Sequence, residues 1–482
     1  MNFFETENPE VAGSNKVKKP KKQRVKSAST LQAVNATKKT QKEPTFLARM
    51  ANQWWNRLLT SIYSGNISEQ SEQYAAHSTS KDYIWNSVGW GAWGAMFPLL
   101  TIVATQIVGV EQAGMFSMAF VIANLLWFLG NYGVRTYQVS DLDEQHSFTD
   151  YNINRVITCL IMLVVGYLWC EIKGYPQEMT KVCYGVFIFR MIDAYADVFE
   201  GRLQQMDKLY LAGISMTVRS ALSTIAFSVF LILTRSLEVA GIAMAIGATA
   251  SLLILTIPLT LFETPKSRKP SFKAIKEIFI NCFPLFCALF LYALIDAMPK
   301  FAMENVLSYD NQLYFNTMYF PSHAIIMIAG IIYKPQLVRL ATVWQDKSKH
   351  KRFDLIIWAM IGMIAAITAI VAVIMVWIGI PVMSFLYGVD FAKFKSLVVV
   401  MVVSGGVCAS IDFLYQIITV LRAQQAVTKL YLIAFAFSVP VSMLLIGFAG
   451  LAGAVIDNLI IMAILFVLLV TEYFAIRKRL SK

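Results

Sequence analysis

FIFRMIDAYADVFEG, Phe187 to Gly201, lies where the chain otherwise reads as a membrane span, yet it holds an arginine, two aspartates and a glutamate. Arg190 and Asp193 are three residues apart, and Asp197 and Glu200 follow at steps of four and three. On a helix these four side chains share one face. The remainder is Phe, Ile, Met, Ala, Tyr and Val. A charge at the bilayer centre costs roughly 2.5–3.5 kcal/mol even on insertion scales. The polar stripe must therefore face protein or a water-filled cavity.

The surrounding composition supports a membrane setting. The chain has 482 residues, of which 57% are hydrophobic and only 15% charged, with a net charge of +12. Its mean hydropathy of +0.56 exceeds that of a soluble domain. Open sheets are excluded in lipid, because their edge amides go unpaired. The expected fold class is an all-α integral membrane protein. Twelve apolar stretches approach the roughly 20 residues needed to cross a bilayer. They lie at 83–107, 113–134, 153–171, 179–199, 209–233, 237–262, 276–298, 313–336, 353–378, 396–420, 430–447 and 451–474.

Charge sets an orientation. With the N-terminus in the cytoplasm, one set of loops holds Arg135, Arg155, Arg202, Lys208, ETPKSRKPSFKAIK, WQDKSKHKR, Arg422 and Lys429, and the C-terminal RKRLSK joins them. The opposite loops hold only Lys173, Lys181, Arg235, Lys300, Lys393 and Lys395. That asymmetry follows the positive-inside rule and places both termini in the cytoplasm of a cell-membrane protein.

Residues 1–44 are polar and basic, with KVKKPKKQRVK, and are expected to be a disordered tail against anionic membrane lipid rather than a nucleic-acid binder. In 45–64, Leu47, Met50, Trp54, Leu58 and Ile62 recur every three or four residues, the pattern of an amphipathic interfacial helix. The six cysteines fall within or at the ends of spans and show no metal-site spacing, so free thiols and no metal are expected.

Two short repeats organise the spans. QQMDKLYL (Gln204–Leu211) and QQAVTKLYL (Gln424–Leu432) join the fourth to the fifth and the tenth to the eleventh span. AGIAMA at Ala240 and AGLAGA at Ala449 open the sixth and the twelfth. Two six-helix lobes result, at 83–262 and 277–474, with a basic linker at 263–276 and a basic cytoplasmic end at 475–482. Repeated halves in transporters place substrate between them near the midplane.

Further charges lie in the spans. Arg219 is in the fifth. The seventh contains ALIDAMPKFAMENV, with Asp296 and Lys300 four apart and Pro299 between them. The eighth holds Pro321 and His323, the tenth Asp412 and the twelfth Asp457. The pairs Arg190–Asp193 and Asp296–Lys300 also fit a simple packing role. Their number on both lobes instead suggests one hydrated central cavity, where Arg190, Arg219 and Lys300 offer positive charge to an anionic head group.

ALIDAMPKFAMENVLSYDNQLYFNTMYFPSHAIIMIAGIIYKPQLVRLATVW, with GNYGVRTYQVSDLDEQHSFTDYNINR and DVFEGRLQQMDKLYLAGISMTVR, resembles the signature of Wzx-type polysaccharide flippases. These belong to the multidrug/oligosaccharidyl-lipid/polysaccharide exporter superfamily. The resemblance spans roughly Tyr83 to Phe474. It implies two six-helix lobes around a central cationic cavity, alternating access, and a polyprenyl-pyrophosphate-linked oligosaccharide repeat unit as substrate. Arg190, Arg219 and Lys300 are expected to contact the head group. Asp193, Asp197, Asp296 and Asp412 are expected to balance charge or carry a coupling ion, H+ or Na+. Arg135 and Asp141 are candidates for a gate contact. Polysaccharide polymerase machinery is a candidate partner. Rival readings are a multidrug exporter of the same superfamily, a peptidoglycan-precursor flippase and a membrane polymerase or ligase. No nucleotide cradle, Walker motif or zinc spacing occurs, so a transporter rather than an enzyme is expected.

Overall fold

The computed structural model describes residues 71–480 except 142, 334–336, 338–339, 341–343, 345–349 and 422–423. The expected basic tail at 1–44 and amphipathic helix at 45–64 lie outside the described residues. Among the described residues every regular element is helical.

In chain order these are α1 (Ser71–Val108), α2 (Val110–Asn131), α3 (Val134–Ser140), α4 (Phe148–Lys173), α5 (Gln177–Gln205) and α6 (Leu209–Thr234). Then come α7 (Leu237–Glu263), α8 (Phe272–Glu304), α9 (Tyr309–Tyr333), α10 (His350–Tyr387) and α11 (Lys395–Val420). Short π turns at Leu252–Thr256 and Met375–Gly379 interrupt α7 and α10. The final stretch, Gln424–Leu480, breaks at Gly450, whose φ of 56° and ψ of −131° are non-helical. We number its arms α12 (424–449) and α13 (451–480).

Ten of the described helices are long and apolar enough to cross a membrane, with the two arms around Gly450 counted as one. Long α5 falls outside that set because of its charges. With α5 included and α12 and α13 separated, the twelve expected spans are present, and the chain is an all-α multi-pass membrane protein.

The helix ends follow local chemistry. Ser147 caps α4, accepting from the Asp150 amide, while the Asp150 carboxylate accepts from the Ser147 amide. This reciprocal capping box starts α4 at Phe148, five residues before the expected span. Gly174 ends α4 in the left-handed conformation, φ 61°, a backbone state that costs glycine little. The α6–α7 hairpin turns at Arg235, a left-handed cap with φ 51° and ψ 27°, whereas the α12–α13 break at Gly450 combines a positive φ with an extended ψ.

The helices up to α7 pack mainly on one another, as do α8 to α13. Across the halves, α2 packs on α8 and α9, and α4 on α8. Helix α2 is accordingly central, with 72% of its span buried. We call the end where α1 begins proximal and the end where α1 finishes distal. Several contacts tie the halves at the distal end. Gly114 of α2 lies so close to α9 that a Cβ there would sit 1.9 Å from the Tyr309 carbonyl oxygen. Asn316 donates to Ser117 Oγ at 2.9 Å. Lys173 pairs with Glu304 at 3.1 Å, and the Tyr175 hydroxyl donates to Glu304 at 2.6 Å. Gln106 donates to the Leu386 carbonyl at 2.8 Å.

The close α2–α9 approach yields a paired prediction. Gly114→Val inserts atoms where backbone already lies and should cost about 1–3 kcal/mol or more. Gly91→Ala, where a Cβ meets nothing within 4 Å, should be neutral or stabilise by up to about 1 kcal/mol. Thermal unfolding in detergent distinguishes the two.

Candidate functional site

The polar stripe of α5 is buried in the first half of the bundle. Arg219 of α6 sits between two of its acids, with Nη2 2.9 Å from Asp193 Oδ1 and Nη1 2.5 Å from Glu200 Oε1. Arg190 Nη1 lies 3.1 Å from Asp193 Oδ2. Asp197 takes two cations from other helices, Arg135 of α3 at 2.7 Å and Arg155 of α4 at 3.0 Å. Arg135 also approaches Glu200 at 3.8 Å. The seven groups thus form one connected network of four arginines and three acids. Ser215 Oγ completes the Glu200 shell at 3.0 Å.

The Arg190 guanidinium lies over the rings of Phe120 and Trp93, at 4.5 and 4.9 Å from their centroids. Those aromatic faces supply cation–π attraction in place of water. Trp93 also donates its indole N–H to Asp193 Oδ2 at 2.9 Å. Arg190 and Arg219 are each only 2% exposed. A buried charge persists only when paired and hydrogen-bonded, and this network pairs each of them.

A separate cavity of about 450 Å³ lies between the halves. Helices α1 and α2 contribute Trp93, Asn124 and Trp127. Helices α8 and α9 contribute Tyr292, Asp296, Lys300, Asn316, Tyr319 and His323. Asp412, Tyr415, Gln416 and Tyr431 come from α11 and α12. Lys300 Nζ pairs with Asp296 Oδ2 at 2.9 Å, and the Tyr319 hydroxyl donates to Asp296 Oδ1 at 2.5 Å. The same ammonium lies 4.7 Å from the Tyr319 ring centroid. Tyr319 meets His323 edge-on at 4.6 Å. Asp412 accepts from the Tyr333 hydroxyl.

This arrangement corrects the expected single cationic hollow. Of the three cations, only Lys300 lines the cavity. Arg190 and Arg219 lie behind its wall, neutralised by Asp193 and Glu200, which α5 presents at helical spacing. Asp193 and Asp197 belong to that network, whereas Asp296 and Asp412 line the cavity. The charged lining groups among the described residues are then one lysine and two aspartates. Trp93 is shared, with its ring on the cavity and its N–H on Asp193.

The expected gate pair is also corrected. Arg135 binds Asp197 and Gln204, and Asp141 organises the α3–α4 loop. Asp141 accepts from the amides of Gln145 and His146, at 2.9 and 3.0 Å, and from the Tyr151 hydroxyl at 2.9 Å. Burial alone would raise its pKa, but these donors outweigh burial and hold it below the usual aspartate value.

Arg155 and Arg202, read from sequence as loop cations, are buried inside α4 and α5. The cap signature SFTD at 147–150 marks the earlier start of α4 and would have placed Arg155 two turns inside it. Trp93 and Tyr319 carried no comparable signal, because their roles depend on partners distant in the chain.

No protein-family model matches the chain. It is 21% identical over 315 residues to the capsular polysaccharide biosynthesis protein CapF of Staphylococcus aureus, covering 63% of this chain and 76% of that one. Among solved structures it resembles an inward-facing multidrug resistance MATE family transporter of the MOP superfamily. The TM-score is 0.61 at 13% identity, over 80% of this chain and 96% of that chain. The chain has the MATE fold. Two further structures of that fold agree. A Pyrococcus furiosus MOP superfamily transporter, described as having a binding pocket of reverse polarity, aligns with TM-score 0.56 and 12% identity over 84% of this chain and 95% of that one. Vibrio cholerae VcmN in the bent form aligns with TM-score 0.55 and 12% identity, over 85% and 98%. At such identities the likeness establishes the MATE fold alone.

The buried network and the cavity predict different mutational outcomes. Arg219→Ala leaves Asp193 and Glu200 short of a partner in a dry interior and should destabilise by about 3–5 kcal/mol. Lys300→Ala, beside an open cavity, should cost appreciably less. Detergent melting curves and the yield of folded protein measure both.

Proposed function

We propose that the chain is a membrane transporter that moves a polyprenyl-pyrophosphate-linked oligosaccharide from one leaflet to the other, with the proximal end in the cytoplasm. The observation that carries this reading is the chemistry of the cavity wall. Flat aromatic faces (Trp93, Trp127, Tyr292, Tyr415, Tyr431) share the wall with the amides of Asn124 and Gln416. Sugar rings present apolar C–H faces and a rim of hydroxyls. Aromatic faces take the former, and amides, which donate and accept, take the latter. Sugars and pyrophosphate resist dehydration, so a path through lipid needs replacement partners. Lys300 can exchange Asp296 for a phosphate oxygen. A volume of about 450 Å³ suits a small ligand or part of a larger head group. The likeness to CapF, a capsule biosynthesis protein, supports the same reading. The basic loops favour a cytoplasmic proximal end and cell-membrane location.

A second reading rests on the two lining carboxylates. With Asp296 and Asp412 against one lysine, the cavity also suits an organic cation, as in a multidrug exporter.

Reconstitution decides between them. Proteoliposomes carrying a fluorescent lipid-linked oligosaccharide should show protein-dependent exposure of the head group on the opposite leaflet. Gln416→Ala and Tyr431→Ala should slow this by about tenfold or more, corresponding to about 1.4 kcal/mol or more of lost transition-state contact. Uptake of ethidium, abolished by Asp412→Asn, with no head-group translocation, would establish the cation reading instead.

A further inference from the structure

Between α7 and α8 the chain crosses the proximal end as a strap, residues 264–271. The strap is fixed to the first half of the bundle. Thr149 donates from its amide and its hydroxyl to Ser267 Oγ, at 2.8 and 2.7 Å. The Ser271 amide donates to Asp150 Oδ1 at 2.7 Å, and Arg268 reaches the Glu144 carbonyl. Lys208 holds Glu263, at the strap's start, through its backbone oxygen at 2.9 Å and its carboxylate at 2.7 Å.

Four neighbouring carboxylates are engaged within the protein, while Asp143 and Asp207 are exposed. Glu263 binds Lys208, Glu144 binds Arg202 at 3.2 Å, and Asp150 binds Ser147 and Ser271. Glu277 lies 3.5 Å from His146 and 3.9 Å from Lys273. On the outward side stand Lys266, Arg268, Lys269, Lys273 and Lys276, all exposed. Among the described residues, Lys266, Lys269 and Lys276 form no ion pair within 4.0 Å. Phe272, next to Lys273, is 85% exposed, and Leu261, in the last turn of α7 before the strap, is 62% exposed. A strap that only tethered two halves would need neither the uncompensated charge nor an exposed phenylalanine.

Basic side chains ranged beside exposed apolar ones match the headgroup region of a leaflet, where phosphates lie directly over acyl chains. We propose that the strap and the first turn of α8 form a docking surface for anionic phospholipid. Lys266, Lys269 and Lys276 contact lipid phosphates, and Phe272 and Leu261 enter the acyl boundary. The site is distinct from the cavity between the halves and does not depend on what the cavity carries. The fixed backbone presents the cations in one geometry, so binding is local to the strap rather than a consequence of net charge.

The test uses the full chain, purified in detergent and titrated with dioleoylphosphatidylglycerol or, separately, dioleoylphosphatidylcholine. Native mass spectrometry counts the bound lipids. The variant K266Q/K269Q/K276Q should bind phosphatidylglycerol more than about tenfold more weakly, since each basic residue contributes to attraction at an anionic surface. Its phosphatidylcholine binding should be unchanged. The variant R235Q/K393Q/K395Q, with an equal charge change at exposed positions of the distal end, should lose much less. Phe272→Ser alters the same surface without changing charge and should weaken both lipids. Wild-type phosphatidylglycerol binding by the strap variant, or an equal loss in the R235Q/K393Q/K395Q variant, overturns the proposal.

Discussion

Burying ionic groups in a bundle that sits in lipid constrains the first half of this protein more than any other requirement. Insertion scales charge roughly 2.5–3.5 kcal/mol for one such side chain at mid-bilayer, and α5 alone presents four in its inner turns. The bundle satisfies this constraint by placing Arg219, Arg135 and Arg155, from three different helices, against the acids of α5. The pairing holds α3, α4, α5 and α6 in one register, because a slip of any of them would strand a charge. It also explains why the stripe does not open onto the cavity. Carboxylates and guanidiniums already at 2.5–3.1 Å have little left to offer a ligand.

The cavity is built on different physics. Its wall is aromatic and aliphatic with three amides, one ion pair at Asp296–Lys300 and one carboxylate held by a tyrosine hydroxyl. Pro299, next to Lys300, has no amide to donate to the carbonyl of Ile295, so the helical ladder of α8 is interrupted in the turn that carries the pair. Such interruptions are tolerated in membrane helices where protein or a cavity adjoins them. Trp93 is the one described side chain that lines this cavity and also hydrogen-bonds the buried network. It thus connects two regions whose electrostatics are otherwise independent.

Much of the architecture was legible in the chain itself. Apolar length, the charge asymmetry of the loops and the recurrence of QQ and KLYL, two or three residues apart, and of AG-x-A led to the expectation of twelve helices in two equivalent halves. The structure agrees in the all-helical class and in the long apolar helices at the expected spans. The site was legible only in part. Spacing correctly put Arg190, Asp193, Asp197 and Glu200 on one face and paired Asp296 with Lys300. It failed for Arg155, counted as a loop residue because the capping box at Ser147 was not weighed, and for the partners of Arg135 and Asp141.

Periodicity acts along one helix, so the sequence by itself determined which side chains share a face and that such a face must avoid lipid. It could not determine what that face meets. Whether a buried arginine borders water or a carboxylate from another helix depends on the rotation and depth of its neighbours, which are set by packing between residues far apart in the chain. Only the tertiary structure therefore decided that Arg190 and Arg219 are neutralised behind the wall, and that Lys300 alone of the three cations borders the open volume.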